Sequence, residues 1–264
     1  MLGAFLSEWP KIRRRSILLA FVAMVGLTAI AVGVTLARIH RRSLAQQILI
    51  NTDAGLTGIL QPSAMLVSVI VLITVAAVLG ADWTQGTWRN LLVQEPRRLN
   101  LLSGRVLALL VYMIISAVVT VGVATAVAMA IAPHEGVKSA AWWDSTGTAD
   151  YLSFLGNLVL AVVCWTIFGA MVAVLVRNPA GAVGASIAWL FVIEGLANQV
   201  WSTVGQYLPG RILSVVLSGG QASVLSNATS TGVSYTTALL LGAVYAVGMS
   251  AVAGVSFWFR DITA

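Results

Sequence analysis

The sequence predicts an all-α, polytopic membrane protein. Six transmembrane helices are joined by one amphipathic helix at the N-terminus and one short helix on the membrane surface between spans two and three. Three observations carry that prediction. Of the 264 residues, 59% are hydrophobic and only 9% are charged, against about 25% charged in a soluble domain, so a water-facing surface could not be covered. Six apolar stretches are of the order of the roughly 20 residues that cross a hydrocarbon core. A backbone surrounded by lipid must satisfy its own hydrogen bonds, which makes each stretch a helix.

In chain order, Leu2, Phe5, Leu6 and Trp9 recur on one helical face, with Ser7, Glu8 and Lys11 off it. That is the pattern of a helix lying in the interface over about residues 2–15. Pro10 ends or kinks it, and the basic run from Lys11 to Arg15 holds it at the headgroups; the plainer reading is a basic tail. The run is too polar, and the apolar stretch after it too long, for a cleavable signal, so the first span is expected to remain as an anchor. Spans are predicted at about 16–37, 62–80, 105–132, 152–176, 180–200 and 235–259, forming a single transmembrane domain over 1–264. Only Arg177-Asn178-Pro179 separates the fourth from the fifth. This reads as a tight hairpin, with Pro179 starting the next helix.

The formal charge of +6 is better read against the spans than as a sign of nucleic acid. Six spans leave both termini on one side. That side holds ten basic residues, in the segments 11–15, 89–105, 177 and 260. The other holds Arg38, Arg41, Arg42, Lys138 and Arg211. Lys and Arg concentrate in cytoplasmic loops, which favours cytoplasmic termini, although the group at 38–42 sits against it. On the far side, Trp142 and Trp143 suit a membrane interface. Residues 202–234 are rich in Ser, Thr and Gly with an apolar patch from Ile212 to Leu217, and could either dip partly back into the membrane or form a floppy loop.

Most site chemistry is missing. There is no phosphate-binding Gly-rich loop with Lys-Ser/Thr, no His-Glu-x-x-His and no Gly-x-Ser-x-Gly. The two histidines, His40 and His134, lie in separate loops, and the single cysteine, Cys164, lies in an apolar run where it reads as a small hydrophobe. No metal site and no cofactor bound by this chain are expected, and an intramembrane enzyme would lack its base. Glu194 is the one acidic residue inside an expected span, where an acidic group costs about 2.5 kcal/mol or more on insertion scales. It is either a substrate-path or gate residue, with Asn198 beside it, or a carboxyl near the outer end of its helix that is protonated or hydrogen-bonded to Asn198.

The connection after span two differs from the other loops. Trp83, Thr87, Trp88, Leu91 and Leu92 can share a helical face, with Gln85, Arg89 and Asn90 off it. Asp82 closes a span four residues before Gly86-Thr87. Arg89, Leu91-Leu92, Pro96-Arg97-Arg98 and Gly104-Arg105 follow. In this order the segment 80–105 resembles the cytoplasmic signature of type-2 ABC export permeases, with Asp82 where Glu is frequent. The layout of the whole chain is similar as well, from an entry helix with Phe5, Glu8, Trp9 and Lys11 to a long outer segment before the last span.

The resemblance implies a transport subunit of a bacterial cytoplasmic (inner) membrane without its own ATPase. Two such subunits, alike or different, would pair. Each would rest a coupling helix built from Asp82, Trp83, Gly86, Thr87, Trp88, Arg89, Leu91 and Leu92, with Arg97 and Arg98 beyond it, on a cytoplasmic nucleotide-binding subunit that holds ATP and Mg. Within that set Asp82 and Arg89 are expected to make polar partner contacts and to anchor the helix. Residues 202–234 would form the external gate, and no nucleic acid is involved. Spans with few charges suit an amphiphilic substrate such as a lipid or an antibiotic. Two other readings fit the same spans: an ion-coupled secondary transporter centred on Glu194, and a membrane anchor that recruits a cytoplasmic protein without moving anything.

Overall fold

The computed structural model describes residues 15–41, 44–88, 98–220 and 232–259. The expected interfacial helix, with Phe5, Glu8, Trp9 and Lys11, lies outside the described residues, as do Arg89, Leu91, Leu92 and Arg97. Among the described residues all regular structure is helical. The helices are α1 (Arg15–Ala37), α2 (Leu44–Ile50), α3 (Gly55–Thr84), α4 (Arg98–Ile131), α5 (Ser145–Val176), α6 (Pro179–Ile187), α7 (Glu194–Val200), α8 (Ser202–Gly205), α9 (Pro209–Leu217) and α10 (Tyr235–Phe259). A π-helical stretch, Ala188–Ile193, joins α6 to α7. Six of these helical runs are long and apolar enough to cross a membrane: α1, α3, α4, α5, α6 to α7, and α10.

Three helices begin about two turns before the expected spans, at Gly55, Arg98 and Ser145 rather than near 62, 105 and 152. Polar residues such as Thr57, Asn100 and Thr148 mark where an apolar window ends, but they do not end a helix. Their backbone bonds continue beyond the hydrocarbon. Pro62 sits inside α3 and removes one donor without ending it.

The core is built around α3, which packs against α1, α4, α5 and α6 and buries residues along its whole length, from Leu56 to Leu79. In lipid, apolar burial gives no net drive to bring helices together, so close approach at small residues matters more. Gly169 on α5 shows this: a Cβ there would lie 2.9 Å from the Leu72 carbonyl oxygen on α3. By contrast, α10 and the run α6–α7 leave most of their surface open.

Successive spans alternate in direction. One end of the bundle therefore gathers residues 82–88, Arg105, Arg177 and Phe257, and the other gathers Ile50, Trp142 and α8–α9. At the second end Trp142 is not an interface residue as expected. It is fully buried, its indole N–H donates to the Ile50 carbonyl at 2.8 Å, and Gly55 leaves room for the ring. A buried indole needs such an acceptor. Trp143 stays 45% exposed, packed edge-on against Tyr151. Lys138 N also donates to Asn51 Oδ1 at 2.8 Å, tying the same two connections together.

Candidate functional site

The last turn of α3 carries Asp82 and Trp83 and ends in a sharp reversal. Gln85 N donates to the Ala81 carbonyl at 3.0 Å and Gly86 N to the Trp83 carbonyl at 3.2 Å. Gly86 has φ +65°, a left-handed conformation that glycine adopts without steric cost. Helical backbone resumes at Thr87-Trp88. The turn therefore divides the face that the sequence had placed on one helix, and Trp83 and Trp88 meet across it with ring centroids 5.8 Å apart.

Phe257, from the end of α10, closes the aromatic cluster. It lies edge-on to Trp88 at 5.0 Å and to Trp83 at 5.8 Å, and is fully buried. Such arrangements contribute about 0.5–1.5 kcal/mol per pair beyond the area they bury. Two cations flank the rings. The Arg177 guanidinium stands 4.6 Å from the Trp83 centroid and that of Arg105 stands 5.7 Å from Trp88, both within cation–π range.

Asp82 is completely buried, and its Oδ2 lies 2.5 Å from Arg105 Nη2. Arg105 sits two turns inside α4, itself 4% exposed. Desolvating either charge alone is expensive, and removing one partner of such a pair typically costs about 3–5 kcal/mol. The expectation that Asp82 anchors the turn and also contacts a partner is therefore altered: the carboxylate points into the bundle, and Thr84, Gln85 and Gly86 form the exposed part of the turn, with Thr87 half-buried.

The α5–α6 hairpin locks onto the same place. Arg177 ends α5 in the left-handed conformation at φ 57°. Asn178 then caps α6, its Oδ1 accepting from Ala180 N at 2.9 Å and Gly181 N at 3.4 Å, with Pro179 opening the helix as predicted. Gly80 lets this hairpin approach α3: a Cβ there would stand 2.8 Å from Pro179 Cα. Five span ends thus meet at one point: those of α3, α4, α5, α6 and α10. Arg105, Arg177, Gly80 and Phe257 were not singled out from sequence as site residues. Arg105 was quoted only as the end of the 80–105 signature, and its place as a lone cation opening an apolar stretch is the signal for a buried partner; nothing local marks Phe257.

At the opposite end Glu194 is 94% buried at the start of α7. Its Oε1 accepts from Trp189 Nε1 and from Gly210 N, each at 2.9 Å. Gly210 lies in the first turn of α9, where backbone N–H groups are otherwise without helical partners. Asn198 is close, but its amide donates at 2.8 Å to the Glu194 main-chain carbonyl and not to the carboxyl. A Cβ on Gly205 would meet Asn198, and one on Gly210 would fall on the Glu194 carboxyl. The Tyr245 hydroxyl on α10 donates to the Tyr207 carbonyl at 2.5 Å. The outer segment, read from sequence as either dipping back or a floppy loop, contains two short helices through Leu217, fastened at several points. The stretch 221–231 lies outside the described residues.

A family model described as ABC-2 family transporter protein matches residues 4–195, a range that takes in the Trp83–Trp88 junction and Glu194. No curated protein matches the chain.

Proposed function

This chain belongs to the ABC-2 family of transporter proteins, and from that premise we propose that it is the membrane-spanning permease subunit of an ATP-driven exporter moving an amphiphilic substrate, such as a lipid or an antibiotic, out of the cytoplasm. In this reading a separate nucleotide-binding subunit holds ATP and Mg and docks at the Trp88 end. A second permease subunit, the same chain or a different one, completes the pathway. Both termini face the cytoplasm of a bacterial inner membrane, on the side that collects ten of the fifteen basic residues.

The observation that carries the reading is the contrast within the 82–88 turn. Thr84, Gln85 and Gly86 are exposed, while Asp82 and Trp88 on either side are buried and tied to the ends of α4 and α10. Protein interiors are close-packed and transmit strain. A push on the exposed residues therefore has a stiff path into the spans, which a solvated loop would not provide. An ion-coupled carrier centred on Glu194 is less well supported, because that carboxyl already holds two donors within the protein.

The test is to purify the tagged chain in detergent from its native membrane and assay the eluate for ATPase activity. Co-purifying ATPase activity that falls at least tenfold with Arg89→Glu combined with Arg97→Glu supports docking at this end. A chain that purifies without any nucleotide-binding protein sinks the reading.

A further inference from the structure

The last span reaches both regions described above. α10 runs for 25 residues without proline, about 37 Å at 1.5 Å per residue. At one end its Phe257 is held between Trp83 and Trp88. Toward the other end, Ala238 packs with Ile212, Val215 and Val216 of α9 in an apolar cluster separate from the main core, and Tyr245 bonds to the Tyr207 carbonyl just before α9. Between these points α10 lies along α5. Its remaining face is open, with Leu240, Val244 and Val247 each 65% or more exposed.

We infer that α10 is a connecting rod: movement of the 82–88 turn reaches the α8–α9 segment through it, and Phe257 is the positioning residue that grips the turn. The inference rests on the exporter reading for the origin of the push, and the geometry supplies the route. A continuous helix is stiff along its axis because every turn is hydrogen-bonded to the next. It moves as a body when its ends are gripped and one flank meets only lipid. α3 and α5 also reach α9, but both are held in the packed core along their length, whereas α10 is largely open between its two grips. Small displacements at one packed contact become discrete rearrangements at another because packed interfaces have alternative arrangements and do not deform continuously.

The experiment uses the full chain with its co-purified nucleotide-binding subunit in proteoliposomes. Cys164, the single native cysteine, is replaced by Ser, and Ser214→Cys places a reporter on α9. The rate of labelling by a membrane-impermeant maleimide is measured with and without Mg-ATP and divided by the ATP hydrolysed in the same vesicles. With Phe257 intact the ATP-dependent change in labelling rate is expected to be at least fivefold. Phe257→Ala should reduce it below twofold per ATP hydrolysed, and Phe257→Tyr, which keeps the ring, should restore it. Phe257→Leu keeps apolar volume without a ring edge, provides the comparison if the alanine variant does not accumulate, and should give an intermediate value. A full response in Phe257→Ala or Phe257→Leu overturns the rod while leaving the exporter reading intact. No response with Phe257 present, in vesicles that hydrolyse ATP, also overturns the rod; a chain that yields no nucleotide-binding subunit to reconstitute overturns the exporter reading beneath it.

Discussion

Asp82 and Glu194 are both acidic side chains buried in the bundle, and their surroundings satisfy them in different ways. Asp82 faces a guanidinium, and the pair is buried, with the Arg105 guanidinium against the Trp88 ring. Glu194 faces two neutral N–H donors, one from Trp189 on its own span and one from the backbone of α9. An ion pair in a low-dielectric site costs several kcal/mol to break, because each charge is stranded when the other leaves. Neutral donors bound to a carboxyl contribute about 1.5–3 kcal/mol each and strand no opposite charge on parting. The first arrangement suits elements that keep a fixed geometry while moving together. The second suits a contact that opens and recloses. For the exporter proposed above, the difference suits a rigid part at the 82–88 turn and a releasable part at α9.

The comparison is broken most directly at the rigid end. Asp82→Ala is expected to lose about 3–5 kcal/mol of stability, since Arg105 would remain buried without its carboxylate. The double variant Asp82→Ala with Arg105→Met should recover more than half of that loss, because it removes both charges. Thermal unfolding of the detergent-purified protein reads both. A double variant no better than the single one would mean that Asp82 acts through the turn backbone and not through the ion pair.

Next in size is Gly80→Ala. Its new methyl would press on Pro179 Cα, a backbone atom with little room to retreat, and overpacking of this kind costs about 1–3 kcal/mol. The same substitution at Gly184 or Gly195, where a Cβ meets nothing within 4 Å, should be nearly neutral in the same unfolding assay. Equal effects at all three positions would show that the α3–α6 approach is not a tight contact.

Glu194 separates charge from hydrogen bonding. Glu194→Ala leaves Trp189 Nε1 and Gly210 N without their acceptor and should cost about 1–3 kcal/mol. Glu194→Gln keeps an oxygen in place and should cost less than half as much. If Gln proves as damaging as Ala, the charge itself matters and Glu194 returns to the candidates for a substrate-path residue.

The legible part of this molecule was the part written locally. Six apolar runs and the Arg177-Asn178-Pro179 hairpin each have a signal within a few adjacent residues, and the helices formed there, whereas the turn at Gly86 falls inside a stretch whose spacing reads as one helical face. Glu194 stood out because a carboxylate amid apolar residues needs an explanation, and Asp82 because of its place in the 80–105 signature. Their pairings did not stand out: Arg105 was visible in the same signature but not as the partner of Asp82, and Gly210 is brought to Glu194 by packing between distant elements. Proximity in sequence even misled: Asn198 is one helical turn from Glu194, yet it bonds the backbone. Trp142 was misjudged for a related reason, since an indole has the same sequence signature whether its N–H meets lipid headgroups or a buried carbonyl. Phe257, one apolar residue among many in the last span, has no sequence mark at all.

The smallest expected effect lies at the second fastening of the outer segment. Tyr245→Phe keeps the ring on α10 and removes only the hydroxyl that donates to the Tyr207 carbonyl. A single neutral hydrogen bond of this kind contributes about 0.5–1.5 kcal/mol net, and this one lies at the protein's edge, where water or a headgroup can replace it. The variant should therefore unfold within about 1 kcal/mol of the parent, while the Ser214→Cys reporter on α9 labels faster even without ATP. That combination, little change in stability with easier opening, is what a releasable contact predicts. A stability loss larger than that of Glu194→Ala would reverse the order of the two fastenings and make the Tyr245–Tyr207 contact, not Glu194, the principal hold on α9.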